Sequence, residues 1–355
     1  MRVYEERAEE WRDARPPTRV DDAEALRDTT AAGAVTVDLG CGAGSYLPHL
    51  ARPTVALDAA APMLELAREA APDSWPVQAD LEALPFRRGS LGAAWARASY
   101  LHVHTDRLPA ALADLHHALA VGSPVRISVI AREISGAWPG DDFPGRWFAG
   151  WTADTLRDVV MGAGFDLQTV DEAGEWLNVR ANRARSLPDT VRRGMHLLVC
   201  GLNPSLRAAD AGVGFVTPGN RFWPAALEAQ LVTVDRDPRA ALAQHGVGMT
   251  DLVKRATPRA DELTRDEYRA GLARVERLVR WLQPGSVCFV GLAGWRAAVD
   301  RSAVAGVQPD GIGGRPAYVM PSTSGLNARV PLDELADHLR AALALSKRSG
   351  VATPR

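Results

Sequence analysis

Two stretches of this chain carry side chains suited to holding small molecules and water. In the first, VDLGCGAGSYLPHL, Asp38 ends an apolar run and Gly40, Gly42 and Gly44 follow it. Glycines between a strand and a helix let backbone N–H groups come close to a ligand at the helix N-terminus. Asp58 ends the next apolar run, and Asp80 ends the one after it in QADL. An acid at the tip of the second strand is placed to take two ribose hydroxyls, and one at the third can accept from an adenine amine. The second stretch, GLNPS at 201–205, follows the run HLLVC and precedes GVGFVTPGNRFW and MPSTSGLNAR. Asn203 is uncharged yet both donates and accepts, so its amide can hold a water in line with a sugar carbon without any shifted pKa. Phe215 offers a π-face to a base. Gly325 permits a tight turn, Leu326 can project as an apolar wedge between stacked bases, and Arg329 is available to phosphate or to an orphaned base. Taken singly, each of these is also an ordinary turn, core or loop residue.

The elements that must place these groups are readable from periodicity. Short apolar strands are expected at 35–39, 53–58, 76–80, 91–96 and 125–131, separated by helices such as 61–70 and 106–120. This alternation predicts a parallel sheet covered by helices on both faces. Residues 165–170 and 176–182 are expected to close it as an antiparallel hairpin. A second alternation begins at Met195, with strands at 195–200, 247–253, 286–291 and 316–320. Thr264 and Glu267 form a capping box, Leu272, Val275, Leu278, Val279 and Leu282 repeat at helical spacing, and Pro284-Gly285 stop the run. At 355 residues the chain exceeds what one core usually serves, so two α/β domains are expected. Polar residues 183–194 contain Pro188 and Gly194 and read as the junction, giving a first domain 1–187, a linker 188–194, a second domain 195–346 and a tail 347–355.

Residues 33–182, with G-x-G-x-G rather than G-x-G-x-x-G and with the third acid, resemble a class I S-adenosylmethionine-dependent methyltransferase. The resemblance implies S-adenosyl-L-methionine as cofactor. It puts Asp38, Gly40, Gly42 and Gly44 around the methionine end, Asp58 at the ribose, and Asp80 with Leu81 at the adenine. The methyl acceptor stays unknown. Tyr100, His102 and His104 lie where this fold usually meets its substrate, where a histidine can act as general base, or they are half-buried loop residues. Residues 195–346 resemble the mismatch-specific uracil/thymine DNA glycosylases through Gly201–Pro204, Pro218, Asn220–Trp223, Pro321, Ser324–Leu326 and GVGMTDLVKRAT at 246–257. By that resemblance Asn203 positions water, Leu202, Phe215 and Asn220 line the base site, and Asn220 with Phe222 and Trp223 builds the pocket wall and core. Ser324, Gly325, Leu326, Asn327 and Arg329 meet double-stranded DNA. The fold implied is two three-layer α/β/α domains, a seven-stranded methyltransferase sheet and then a smaller parallel sheet of the uracil-DNA-glycosylase kind. Ser205 departs from the usual glycine after N-P, and S-T-S-G-L from the common N-P-S-G-L, which leaves the choice among pyrimidines open.

Residues 1–191 hold 19 Lys+Arg against 28 Asp+Glu, a net −9, whereas residues 192–355 hold 22 against 15, a net +7. The basic half suits a polyanion, although only two of its cations are lysines and arginine is abundant throughout. Three cysteines, Cys41, Cys200 and Cys288, without any C-x-x-C spacing, argue against an iron–sulfur cluster or a zinc site. No stretch approaches the length of a membrane span, and the acidic N-terminus does not read as a signal peptide, so a cytoplasmic protein without membrane contact is expected. The rivals are a nicotinamide oxidoreductase for the first half, a DNA reader without excision joined to an S-adenosylmethionine-sensing first half, and a small-molecule methylase joined to a repair domain.

Overall fold

The structure, a computed structural model, describes residues 2–327 and 329–348. The chain divides into two compact units whose main boundary falls between Ala184 and Arg185, with 162–164 grouped with the second. The first unit opens with helices α1 (Arg2–Glu6), α2 (Ala8–Ala14) and α3 (Val20–Thr29). Strands β1 (Thr36–Leu39) and β2 (Thr54–Asp58), helix α4 (Ala61–Ala70), strands β3 (Trp75–Gln78) and β4 (Ala93–Arg97), helix α5 (Leu108–Ala118) and strand β5 (Pro124–Ile130) follow. Helix α6 (Ala153–Gly162) and the hairpin β6 (Phe165–Ala173) and β7 (Trp176–Arg183) complete it. The sheet order is β3-β2-β1-β4-β5-β7-β6. Strands β1 to β5 pair parallel, and β7 slots antiparallel between β5 and β6. The inner strands β1, β2 and β4 are buried nearly throughout, as a sheet covered on both faces requires. Edge strand β3 starts at Trp75 rather than Pro76 and stays largely exposed.

The second unit runs β8 (Leu197–Gly201), α7 (Leu206–Ala211), α8 (Phe222–Glu228), α9 (Pro238–His245), β9 (Val247–Asp251), α10 (Arg265–Leu282), β10 (Ser286–Val290), α11 (Leu292–Ala298), β11 (Gly306–Ile312), β12 (Arg315–Met320) and α12 (Leu332–Arg348). Its sheet order is β11-β12-β10-β8-β9. The four expected strands are parallel, and β11 adds an antiparallel edge, so the sheet is mixed. Val307 is exposed in GVQPDGI, and this polar, proline-bearing segment shows no alternation that would mark it as a strand. Along β8, Leu198 and Cys200 face the core under α10 and α11, while Leu197 and Val199 face the core under α8 and α12, the two-residue period of a strand. The capping box on α10 forms as expected, Thr264 Oγ1 accepting from Glu267 N at 3.2 Å and Glu267 Oε2 from Thr264 N at 2.9 Å.

Residues 188–194 do not behave as a linker. Thr190 pairs with Met249 of β9 through two backbone hydrogen bonds of 2.9 and 2.8 Å, Asp189 and Val191 are buried, and the segment is built into the second unit. Lys347 and Arg348 of the expected tail form the last turn of α12, and the rest lies outside the described residues.

Candidate active sites

In the first unit the acids and glycines meet at the carboxyl ends of β1 and β2. Asp38 is 2% exposed, and its Oδ2 has no hydrogen-bond partner. Burial, reinforced by the nearby Asp58, pushes its carboxyl up to about 8. Asp58 accepts from Gly42 N and Ala60 N, each at 2.9 Å, which partly offsets the upward push of its own burial. The glycines divide into two kinds. A Cβ on Gly40 would lie 2.5 Å from Ser99 Cβ, and one on Gly44 2.7 Å from Ala67 Cα, so both are glycine to admit the protein's own atoms. Only Gly42 faces room, its nearest neighbour being Trp11 Nε1 at 3.8 Å. Ser99 Oγ is a second buried polar atom without a partner beside this turn. Asp80 is exposed and caps Glu82 N at 2.9 Å, and Leu81 is half-buried.

Of the three residues after β4, Tyr100 is fully buried. His102 is held between Trp147 O at 2.8 Å from Nδ1 and the Tyr4 hydroxyl at 2.7 Å from Nε2. The carbonyl only accepts, so Nδ1 carries the proton and Nε2 accepts from tyrosine. Burial pulls the ring down to about 4, which keeps it neutral, and its lone pair is already occupied. His102 therefore does not serve as a general base in this arrangement. His104 alone is exposed, stacked on Trp147 at 3.9 Å.

In the second unit the motifs gather at the carboxyl ends of β8, β9 and β12. Asn203 makes three hydrogen bonds, all donated by Nδ2, to Thr257 Oγ1 at 2.8 Å, Arg255 O at 3.0 Å and Pro204 O at 3.3 Å. Two of the acceptors are carbonyls, which fixes the amide's orientation. Arg255 is itself clamped to Glu267 of the α10 capping box, Nε to Oε1 at 2.6 Å. Ser205 is used locally. It is the N-cap of α7, accepting from Ala208 N at 3.1 Å, and lies 3.2 Å from Thr217 Oγ1. Phe215 stacks on Phe222 with centroids 4.2 Å apart and holds φ at +59°, a strained setting for an aromatic residue. Its ring borders a small cavity of about 20 Å³ whose walls include Pro188, Thr190, Met249, Thr250 and Asp251.

Leu202 and Asn220 make contacts within the protein. Leu202 packs with Leu252 and α11 in the core on the far side of the sheet, its Cδ1 lying 2.8 Å from where a Cβ on Gly294 would stand. Asn220 spends its Oδ1 on Phe222 N at 2.9 Å, a local turn that starts α8. In the SGLN loop, Leu326 is 99% exposed. Asn327 closes the loop on itself, Nδ2 to Ser322 O at 2.9 Å, and Ser324 O accepts from Asn327 N at 2.9 Å. Gly325 lies against Gly219, and Arg329 is exposed.

Residues 37–126 match the family described as methyltransferase domain, and residues 188–344 match the uracil DNA glycosylase superfamily. The chain joins a methyltransferase domain to a uracil DNA glycosylase superfamily domain. Among solved structures, an S-adenosylmethionine-dependent methyltransferase from Mesorhizobium loti is 22% identical, covering 46% of this chain and 100% of its own, at a TM-score of 0.38. A 1,6-didemethyltoxoflavin-N1-methyltransferase from Burkholderia thailandensis is 19% identical over 52% of this chain and 84% of its own, with a TM-score of 0.41. No helix among the described residues is long and apolar enough to cross a membrane.

Sequence reasoning passed over three groups. In the methyltransferase domain, Tyr4 and Trp11 of α1 and α2 reach the glycine turn and His102, and Arg146 lies over Trp11 at 4.7 Å and donates to Tyr4 Oη at 3.3 Å. In the glycosylase-superfamily domain, Arg221 ties the wedge loop down by donating to Asn327 O at 2.6 Å and to Val330 O. Asp251 borders the cleft beside Phe215, and burial pushes its carboxyl up to about 6. A Cβ on Gly201 would fall 2.4 Å from Asp251 Oδ1 and 3.4 Å from Phe215 Cζ, so the glycine of G-L-N-P-S is what lets carboxylate and ring share this space. A lone aspartate at a strand end carried no signal, because its neighbours come from distant parts of the chain.

Proposed function

We propose that the glycosylase-superfamily domain is a monofunctional DNA glycosylase of base-excision repair, acting on uracil, thymine or damaged pyrimidines mispaired in duplex DNA. Asn203 supports this reading most directly. With Nδ2 committed to two carbonyls and a hydroxyl, the amide is left its oxygen to orient a water. Water oxygen bonds to C1′, the C1′–N bond breaks, its electron pair leaves with the base, and the water's surplus proton passes to solvent or to Asp251. A base anion and an oxocarbenium-like sugar need no strong acid, and DNA phosphates favour the cation. Phe215 would stack on the extruded base from the face not covered by Phe222, Leu326 would fill the vacated stack, and Arg329 would meet the backbone.

The methyltransferase domain would take S-adenosyl-L-methionine, which supplies an electrophilic methyl group when bound. A buried unpartnered carboxylate oxygen on Asp38 and the open face of Gly42 fit a ligand bearing a cationic amine. Asp58 would hold the ribose, and Asp80 with Leu81 the adenine. The methyl acceptor is not assigned.

A duplex with uracil or thymine opposite guanine, incubated with the full chain and then treated with alkali, is expected to break at the modified position. Intact strands with the wild type, or equal cleavage by Asn203→Ala, would refute glycosylase action and leave a domain that only reads DNA. Equilibrium dialysis with S-adenosyl-L-methionine tests the first half, with binding lost in Asp58→Ala.

A further inference from the structure

The segment Leu187–Thr190 runs along the cleft, and one buried carboxylate seats it. Asp189, 4% exposed, accepts at Oδ1 from Lys254 Nζ and Thr250 Oγ1, both at 2.7 Å, and at Oδ2 from Arg274 Nη1 at 2.8 Å. Arg274, equally buried, extends the network by donating Nη2 to Thr250 Oγ1 at 2.9 Å and to Asp251 O at 2.8 Å. Lys254 Nζ donates in addition to Leu187 O. Leu187, Pro188, Thr190, Thr250 and Asp251 all border the cleft together with Phe215. Lys254 and Arg274 thus both meet Asp189, and Arg274 also reaches the backbone of Asp251. Charges removed from water are tolerated only when they are paired and hydrogen-bonded.

We propose that Asp189 is a positioning residue of the base cleft: through Lys254 and Arg274 it holds the Leu187–Thr190 wall and the Thr250–Asp251 strand end together. This rests on the glycosylase reading of the cleft. The ionisable groups that face Asp251 are Lys254 just beyond β9, Asp189 from the entering segment, Arg274 from α10 and Cys200 from β8. Burial raises Asp251, Lys254 and Arg274 draw it down, and Asp189 raises it; burial holds the Cys200 thiol protonated. Removing the charge of Asp189 and removing that of Lys254 must therefore move Asp251 in opposite directions, which loss of packing alone would not do.

The full chain is labelled with carboxyl-¹³C aspartate, the Asp251 resonance is assigned by its loss in Asp251→Asn, and its titration is followed by NMR. The midpoint is expected to move down in Asp189→Asn and up in Lys254→Met, each by about one unit. The acid limb of single-turnover base release from a guanine–uracil duplex should move with it. A midpoint unmoved in both variants, or a limb that stays in place while the midpoint moves, overturns the proposal. Should Asp189→Asn fail to fold, Lys254→Met reads the same network with the Arg274 pair intact. Lack of base release by the wild type would sink the glycosylase reading alone, since the NMR midpoint reports the charge balance without catalysis.

Discussion

Replacing Thr257 by valine removes one atom that orients Asn203 while keeping the side chain's shape. Thr257 is 3% exposed, its Oγ1 accepts from Asn203 Nδ2 at 2.8 Å, and it donates in turn to Arg259 O at 2.8 Å. In Thr257→Val the amide keeps the Arg255 carbonyl at 3.0 Å and the weaker Pro204 contact, so it stays in place but turns more freely. A net hydrogen bond contributes about 0.5 to 1.5 kcal/mol. With RT near 0.59 kcal/mol, the productive orientation should fall about 2- to 13-fold. Stability should drop by about 1 to 2 kcal/mol, since the Arg259 carbonyl also loses a donor. Single-turnover base release, measured beside duplex affinity by fluorescence anisotropy, separates the effects: the rate falls and the affinity holds. Asn203→Ala should lose far more, about 100-fold or beyond. An unchanged rate in Thr257→Val, or a loss of affinity matching the loss of rate, would refute the claim that this amide works through a fixed orientation.

Leu326→Ala should leave thermal stability within about 0.5 kcal/mol, because the side chain is 99% exposed; base release from duplex should fall while release from single strands stays put, as paired assays would show. Gly201→Ala drives a Cβ to 2.4 Å from Asp251 Oδ1, so denaturant melts should show a loss of about 1 to 3 kcal/mol together with lost base release. Asp38, pushed up to about 8, holds its proton at neutral pH in the free protein. A bound cationic amine favours its ionised form, so S-adenosyl-L-methionine affinity should rise with pH until about 8 and then level off. Calorimetry at neutral pH in two buffers of different ionisation enthalpy should detect the released proton, and Asp38→Asn should abolish the difference.

The same logic of paired partners explains which features the sequence made visible. Apolar runs ending in Asp38, Asp58 and Asn203 placed these residues at strand ends, because strand position and loop entry are local properties. The α10 capping box was equally local and formed as written. Strand β11 was missed because an edge strand needs no second buried face and GVQPDGI shows no alternation of apolar and polar residues. The junction read as a linker because Pro188, Arg192, Arg193 and Gly194 look like a polar loop, yet Asp189 is buried against Lys254 and Arg274, 65 and 85 residues away. That Leu202, placed at the base by the resemblance, packs on α11 across the sheet is a long-range contact that its neighbours in sequence do not signal.

By itself, then, the amino-acid order determined the two α/β halves, the glycine turn, the acids at the strand tips, and an asparagine and a leucine at the ends of their loops. Only the tertiary structure decided that Asn203 donates all its hydrogen bonds from Nδ2, that Asp251 and the Phe215 ring meet over Gly201, that Tyr4 occupies His102, and that Asp189 seats one wall of the cleft. The physical reason is range. Propensity and periodicity act over a few residues, but the protonation and orientation of a buried polar group are set by whatever distant partners share its low-dielectric surroundings.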